Sequence, residues 1–74
     1  MGNKNRTQKR VEYRGSTFIG TLKGGKVAVR VQRTARGQAL LAGIFDVQNR
    51  SWQNENHSAP LPSFVKNEIE ENFA

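Results

Sequence analysis

Lys26, Arg30 and Gln32 alternate with Val27, Val29 and Val31. Side chains alternate across a strand, so the polar groups share one face and the valines share the other. Long cationic and amide side chains on an open sheet face can reach phosphates or base edges. Arg33 and Arg36 follow in a loop, and Arg14 stands ahead of the region. Lys4, Arg6, Lys9 and Arg10 crowd the first ten residues, which hold no apolar residue after Met1. Such a stretch cannot build core, and residues 1–10 are expected to be a disordered basic arm that meets phosphates on binding. The plainer alternatives are a solvated tail and an ordinary solvated strand face.

Charge favours the polyanion reading. The net charge is +6, and residues 1–50 carry eleven Lys and Arg against Glu12 and Asp46. Residues 51–74 carry Lys66 against Glu55, Glu68, Glu70 and Glu71. A basic body with an acidic end points to a polyanion-facing surface on the sheet side.

Other chemistries lack their residues. There is no Cys, and His57 is the only His, so neither a disulfide framework nor a Cys or His metal cluster is available. Gly24-Gly25-Lys26 lacks the spacing of a phosphate-binding loop, and no nucleophile elbow is present. Glu68, Glu70 and Glu71 look like a helix surface rather than an acid/base pair. The expectation is a protein that is not an enzyme, with no catalytic residues, no metal and no cofactor. No apolar run is long enough to span a membrane, and no signal-type apolar region follows the polar start. The expected setting is the cytoplasm of a prokaryotic or phage-infected cell, with no membrane partner.

These side chains need elements to place them. Gly24-Gly25 between strand-like runs is a two-residue hairpin signal, because the turn types that match strand twist need positive φ. Pairing Lys23 with Lys26 sets Leu22 against Val27, Gly20 against Val29 and Phe18 against Val31. Thr17, Ile19, Thr21 and Lys23 then share the other face with Gln32, Arg30, Ala28 and Lys26. A weaker turn at Thr34–Gly37 pairs Arg33 with Gln38, which sets Val31 against Leu40, Val29 against Ala42 and Val27 against Ile44. Both turns give one apolar face, whose middle row of Gly20, Val29 and Ala42 is small enough to seat a crossing helix.

The flanks are less sharply written. Val11 to Gly15 begins a strand, with Gly15-Ser16 as a bulge or a bend before Thr17. Gln38 to Val47 is apolar on both faces, which fits a central strand, a closed barrel or a dimer interface. Asp46 to Ala59 is polar, opens with a short strand through Val47, and holds Trp52 as an anchor on the core or a stacking residue. After Pro60-Leu61-Pro62, Ser63 is the expected N-cap of a helix over about 63–73. Val65, Ile69 and Phe73 recur every four residues and form its apolar stripe. The glutamates near its C-terminus sit at the unfavourable end of the helix dipole.

Tyr13-Arg14-Gly15, Gly25-Lys26-Val27-Ala28 and Gly43-Ile44-Phe45-Asp46 together resemble the plant ethylene-response-factor, GCC-box-binding, DNA-binding domain. The integrase arm-binding domains are similar in plan. The resemblance implies antiparallel strands lying in the DNA major groove with a C-terminal helix behind them, and it implies that Arg14 and Lys26 face DNA. Val27 stands where that family carries Trp.

The expected architecture is therefore α+β. It has a three- or four-stranded antiparallel meander, with strands about 11–22, 26–33 and 38–47, and a C-terminal helix across one face. A small five-stranded barrel closed by Val11–Arg14 is the alternative. The expected function is non-catalytic nucleic-acid binding, DNA favoured over RNA, in the manner of small phage or mobile-element proteins. Lys26, Arg30, Gln32, Arg33 and Arg36 would supply the sheet contact and Arg14 would flank it. Lys4, Arg6, Lys9 and Arg10 would form the arm. The alternative is an inhibitor or adaptor that binds a host protein, and a homodimer is compatible with either.

Overall fold

In a computed structural model of the protein, residues 7–33 and 36–73 are described. Five strands and one helix follow in chain order: β1 Gln8–Tyr13, β2 Ser16–Lys23, β3 Lys26–Gln32, β4 Leu40–Asp46, β5 Ser51–Gln53 and α1 Ser63–Asn72. The strands form one antiparallel sheet in the order β1-β2-β3-β4-β5, each beside its neighbour in sequence. This is the expected α+β meander with a C-terminal helix packed on one face. The sheet is open, since β1 pairs with β2 alone, so the barrel alternative does not hold.

The extra strands come from turns that a Gly-centred reading misplaced. Arg14 and Gly15 have φ of 50° and 82°, and Tyr13 pairs with Ser16. That is a two-residue hairpin, not a bulge within one strand over 11–22. Arg14 accepts the left-handed conformation that Gly or Asn usually takes. Its guanidinium lies over the Tyr13 ring, 5.5 Å from the centroid. Gly24 and Gly25, at 59° and 80°, make the same kind of turn where one was expected. β2 and β3 pair as expected, from Thr17 with Gln32 to Lys23 with Lys26.

β4 follows the expected register only at its start. Val31 pairs with Leu40 and Arg30 with Leu41, but Val29 then pairs with Gly43 and Val27 with Phe45. The shift lies between Val29 and Arg30, where Ala42 is the unmatched residue. A bulge inserts one residue and turns every later side chain to the other face. Phe45, not Ile44, is therefore fully buried against Val27. The backbone displaced by the bulge finds partners on the chain beyond β5. Asn56 donates its N–H to the Ala42 carbonyl and its side-chain amide to the Leu41 carbonyl, both at 3.0 Å. β4 is not buried on both faces either, for Leu40 and Leu41 are exposed.

The helix covers the face bearing Phe18, Val27, Val29, Val31 and Phe45. Val65, Ile69 and Phe73 are all buried, as their spacing predicts. The small row that seats α1 is Gly20, Val29 and Gly43 rather than Gly20, Val29 and Ala42. Ile69 rests over Gly20 and Leu61 over Gly43, each so close that a Cβ would meet it below 3 Å. Ser63 is the first helical residue and not the N-cap. That position falls to Pro62, whose carbonyl accepts the Lys66 N–H at 3.0 Å. Trp52 sits on β5, where a loop was expected and where no strand runs through Val47. It anchors the core by packing on Phe45, with ring centroids 5.0 Å apart. Its indole N–H donates to Glu70 Oε2 at 2.8 Å, which gives one of the helix acids a structural task.

Asp46 closes the β4–β5 turn. Its carboxylate accepts the Asn49 backbone N–H and the Asn49 side-chain amide, both at 3.1 Å. The backbone bond is the main reason its pKa falls below the ordinary 3.8; partial burial opposes the shift, while the amide and the Lys26 charge reinforce it. A pKa depressed by folding stabilises the fold above 3.8, and that contribution is lost as pH falls through the lower folded value. Asp46→Asn should therefore lower the thermal midpoint near neutral pH and flatten its fall on acidification. Melting curves across about pH 2 to 6 check this. Parallel acid limbs in the two proteins would remove Asp46 from the account.

Candidate nucleic-acid interface

The face opposite α1 is built from the alternate residues of each strand. Across the sheet, Arg10 pairs with Ile19, Ile19 with Arg30 and Arg30 with Leu41. The next row runs Gln8, Thr21, Ala28, Ile44 and Gln53. Lys23, Lys26, Asp46 and Ser51 form the row at the Gly24-Gly25 end. Three exposed cations, Lys23, Lys26 and Arg30, and Arg10 on the first strand thus surround a half-buried apolar centre of Ile19, Ala28 and Ile44. Four residues along a strand span roughly 13 Å and two strand spacings roughly 10 Å, so these charges border a patch of about that size.

Electrostatics separate the two faces. Among the described residues, Lys23 and Arg30 have neither an ion-pair nor a hydrogen-bond partner. Lys26 makes one long contact, 3.5 Å, to the neutral Gln53 side chain, and its charge also acts on Asp46, its partner across β3 and β4. Arg10 pairs with Glu12 at 3.2 Å, with both side chains largely exposed. Two cations on the helix side, Lys66 and Arg50, are already engaged. Lys66 bonds Glu55 at 2.9 Å, and the Arg50 guanidinium donates to the Glu70 carbonyl at 3.4 Å.

The expected site residues are distributed unevenly over this frame. Lys26 and Arg30 lie on the open face as expected. Gln32 lies there too, but its amide donates to the Gly37 carbonyl at 3.0 Å and braces the β3–β4 connection. Arg33 follows β3, and its guanidinium donates to the Ser58 carbonyl at 2.9 Å. Arg36 is exposed in the connection. Arg14 occupies the β1–β2 turn over Tyr13, away from the patch. Lys9 and Arg10 are not part of a disordered arm; both belong to β1. Their alternation sends Lys9 to the helix face beside Gly20, and Arg10 to the open face beside Ile19. Lys4 and Arg6 lie outside the described residues.

One member of the patch, Lys23, escaped the sequence reading of the site. It was legible, because the hairpin register already set it beside Lys26. Arg10 is expected at the site as part of an arm, and the structure places it there on a strand instead, in keeping with the alternation of Lys9, Val11 and Tyr13 with Arg10 and Glu12.

The aromatic residues, Phe18, Phe45, Phe64, Phe73, Tyr13 and Trp52, are absent from the open face. Phe18, Phe45 and Phe73 are buried. Trp52 is held by Glu70, and Tyr13 stacks on Phe64 with centroids 5.5 Å apart. The patch therefore offers charge, amides and methyl groups, but no stacking platform. Among the described residues, no group of three or more Asp, Glu or His side chains could hold a metal ion, and no helix is long and apolar enough to cross a membrane. The chain matches no protein-family model, and no curated protein or solved structure matches it.

Proposed function

We propose that this chain is a non-catalytic nucleic-acid-binding protein that lays the open face of its sheet on a duplex, with DNA favoured over RNA. One observation carries the reading: Arg10, Lys23, Lys26 and Arg30 gather on the uncovered face, while the helix and its glutamates occupy the other. Phosphates are the natural counter-charge for such a face. Single-strand binders add affinity by stacking bases on aromatic side chains, and this face has none, which favours a duplex. Gln8, Thr21 and Gln53 would supply neutral hydrogen bonds between the charges. A cytoplasmic setting in a prokaryotic or phage-infected cell accords with this role.

A second reading draws on the same face. Ile19, Ala28 and Ile44, with the exposed Leu41 beside Arg30, make an apolar centre with a basic rim, which also suits an acidic host protein. Titration of labelled duplex DNA, and of single strands of DNA and RNA, separates the two. Duplex binding at low salt supports the first reading. Absence of binding to all three ligands sinks it and leaves the protein partner.

A further inference from the structure

Gln8, Arg10 and Glu12 direct their backbone N–H and C=O groups away from β2. The Leu22 N–H donates to the Thr7 carbonyl at 2.7 Å, and bonded and non-bonded pairs alternate along an antiparallel ladder. Lys9, Val11 and Tyr13 are therefore the β1 residues bonded to β2, and the residues between them point outward. β1 ends the sheet, and among the described residues no strand lies beyond it. It contains neither Pro nor a bulge, two of the usual protections of a free edge.

A basic edge ordinarily repels its like, which is a third protection. Here Glu12 follows Arg10 on the same face and changes that outcome. A two-fold axis at any residue from Gln8 to Glu12 gives an antiparallel register that matches the outward backbone groups of two β1 strands. An axis at Gln8 leaves Arg10 and Glu12 without partners inside the strand, and an axis at Lys9 sets the two lysines against each other. A two-fold axis at Arg10 sets the two arginines against each other, and an axis at Glu12 does the same to the glutamates. An axis at Val11 instead sets Arg10 opposite Glu12 of the second copy, twice over, and brings the two valines together. Opposite charges directly across strands stabilise pairing and like charges oppose it, so charge selects this one register. Both side chains are exposed, at 67 % and 69 %, and would exchange their own 3.2 Å pair for the two pairs across the axis. Phe64 adds apolar surface near the same edge, stacked on Tyr13 and 49 % exposed.

We propose that β1 pairs antiparallel with β1 of a second copy of this chain, with the two-fold axis at Val11. The two sheets then join into one, and the open basic faces of both copies become continuous. The pairing does not depend on nucleic-acid binding.

Sedimentation equilibrium of the full chain without nucleic acid tests it, with circular dichroism to confirm folding. The mass should rise with concentration from 8.3 kDa toward twice that value. Arg10→Glu or Glu12→Arg alone should weaken the dimer about tenfold or more, since two cross-strand pairs change sign. The two exchanges together should restore it. A mass that stays at 8.3 kDa up to about millimolar concentration overturns the proposal. So does a dimer that both single exchanges leave intact, or a folded double exchange that stays monomeric.

Discussion

A DNA duplex titrated with this chain across a salt series should lose affinity with a log–log slope of about −2.7 to −3.6 per chain. The lower figure counts Lys23, Lys26 and Arg30 as phosphate contacts, and the higher adds Arg10, which must leave Glu12 to take part. Each neutralised phosphate contributes roughly −0.9 on B-form DNA, so changing Lys26 and Arg30 together to Ala should make the slope shallower by about 1.8. If each contact is worth about 0.5 to 1.5 kcal/mol, affinity should fall by roughly fivefold to 150-fold. Fluorescence anisotropy with a labelled duplex reads both quantities. Lys66→Ala is the control, because Lys66 lies on the helix side and is paired with Glu55. An unchanged slope in the double variant, or an equal change in the control, would remove the open face as the site.

Gly20→Ala should destabilise the fold by about 1 to 3 kcal/mol, the usual cost of overfilling a packed core. A Cβ there would lie 2.9 Å from Ile69 Cδ1 and 2.9 Å from Val27 Cγ1, with Phe73 Cε2 at 3.7 Å. Ile69 and Val27 are both fully buried, so neither can withdraw toward solvent. For a chain of 74 residues, each 1 kcal/mol moves the thermal midpoint by about 4 to 8 °C. Ile69→Val removes the Cδ1 that would clash, and by itself should cost about 0.5 to 1.5 kcal/mol. Combined with Gly20→Ala, it should cost less than the sum by about 0.5 kcal/mol or more. Additive costs would mean that α1 does not rest on Gly20, and the assignment of the open face would fall with it. Chemical denaturation of the two single variants and the double variant provides the cycle.

Local patterns announced the middle of this protein. Gly24-Gly25, together with the alternation of Lys26 to Gln32, determined the β2–β3 hairpin and its register to the residue. Hairpin register depends on a turn and on neighbours a few positions away, and both are written in consecutive residues. The four-residue recurrence of Val65, Ile69 and Phe73 likewise determined α1 and its buried stripe. These two elements were enough to place Lys26 and Arg30 on one face and a helix on the other. Lys23 followed from the same register.

The flanks were decided by contacts distant in sequence. Nothing in Leu40–Asp46 marks Ala42 as the unmatched residue, because both faces of that segment read as apolar. The bulge turns Phe45 inward against Val27 and Trp52, and brings Gly43 beneath Leu61. Asn56 supplies the displaced carbonyls with donors from beyond β5. Arg14 takes a left-handed turn that its residue type disfavours, and so the chain reverses into a hairpin where a bulge or a bend was expected. Pairing with β2 then gives order to Lys9 and Arg10, whose charge alone reads as a tail. The sequence by itself determined the alternation, the glycine turn and the helix stripe, since each is a property of neighbouring residues. Tertiary structure decided the register of β4, the existence of β1 and β5, and the full membership of the basic face, because those rest on which distant surfaces bury each other best.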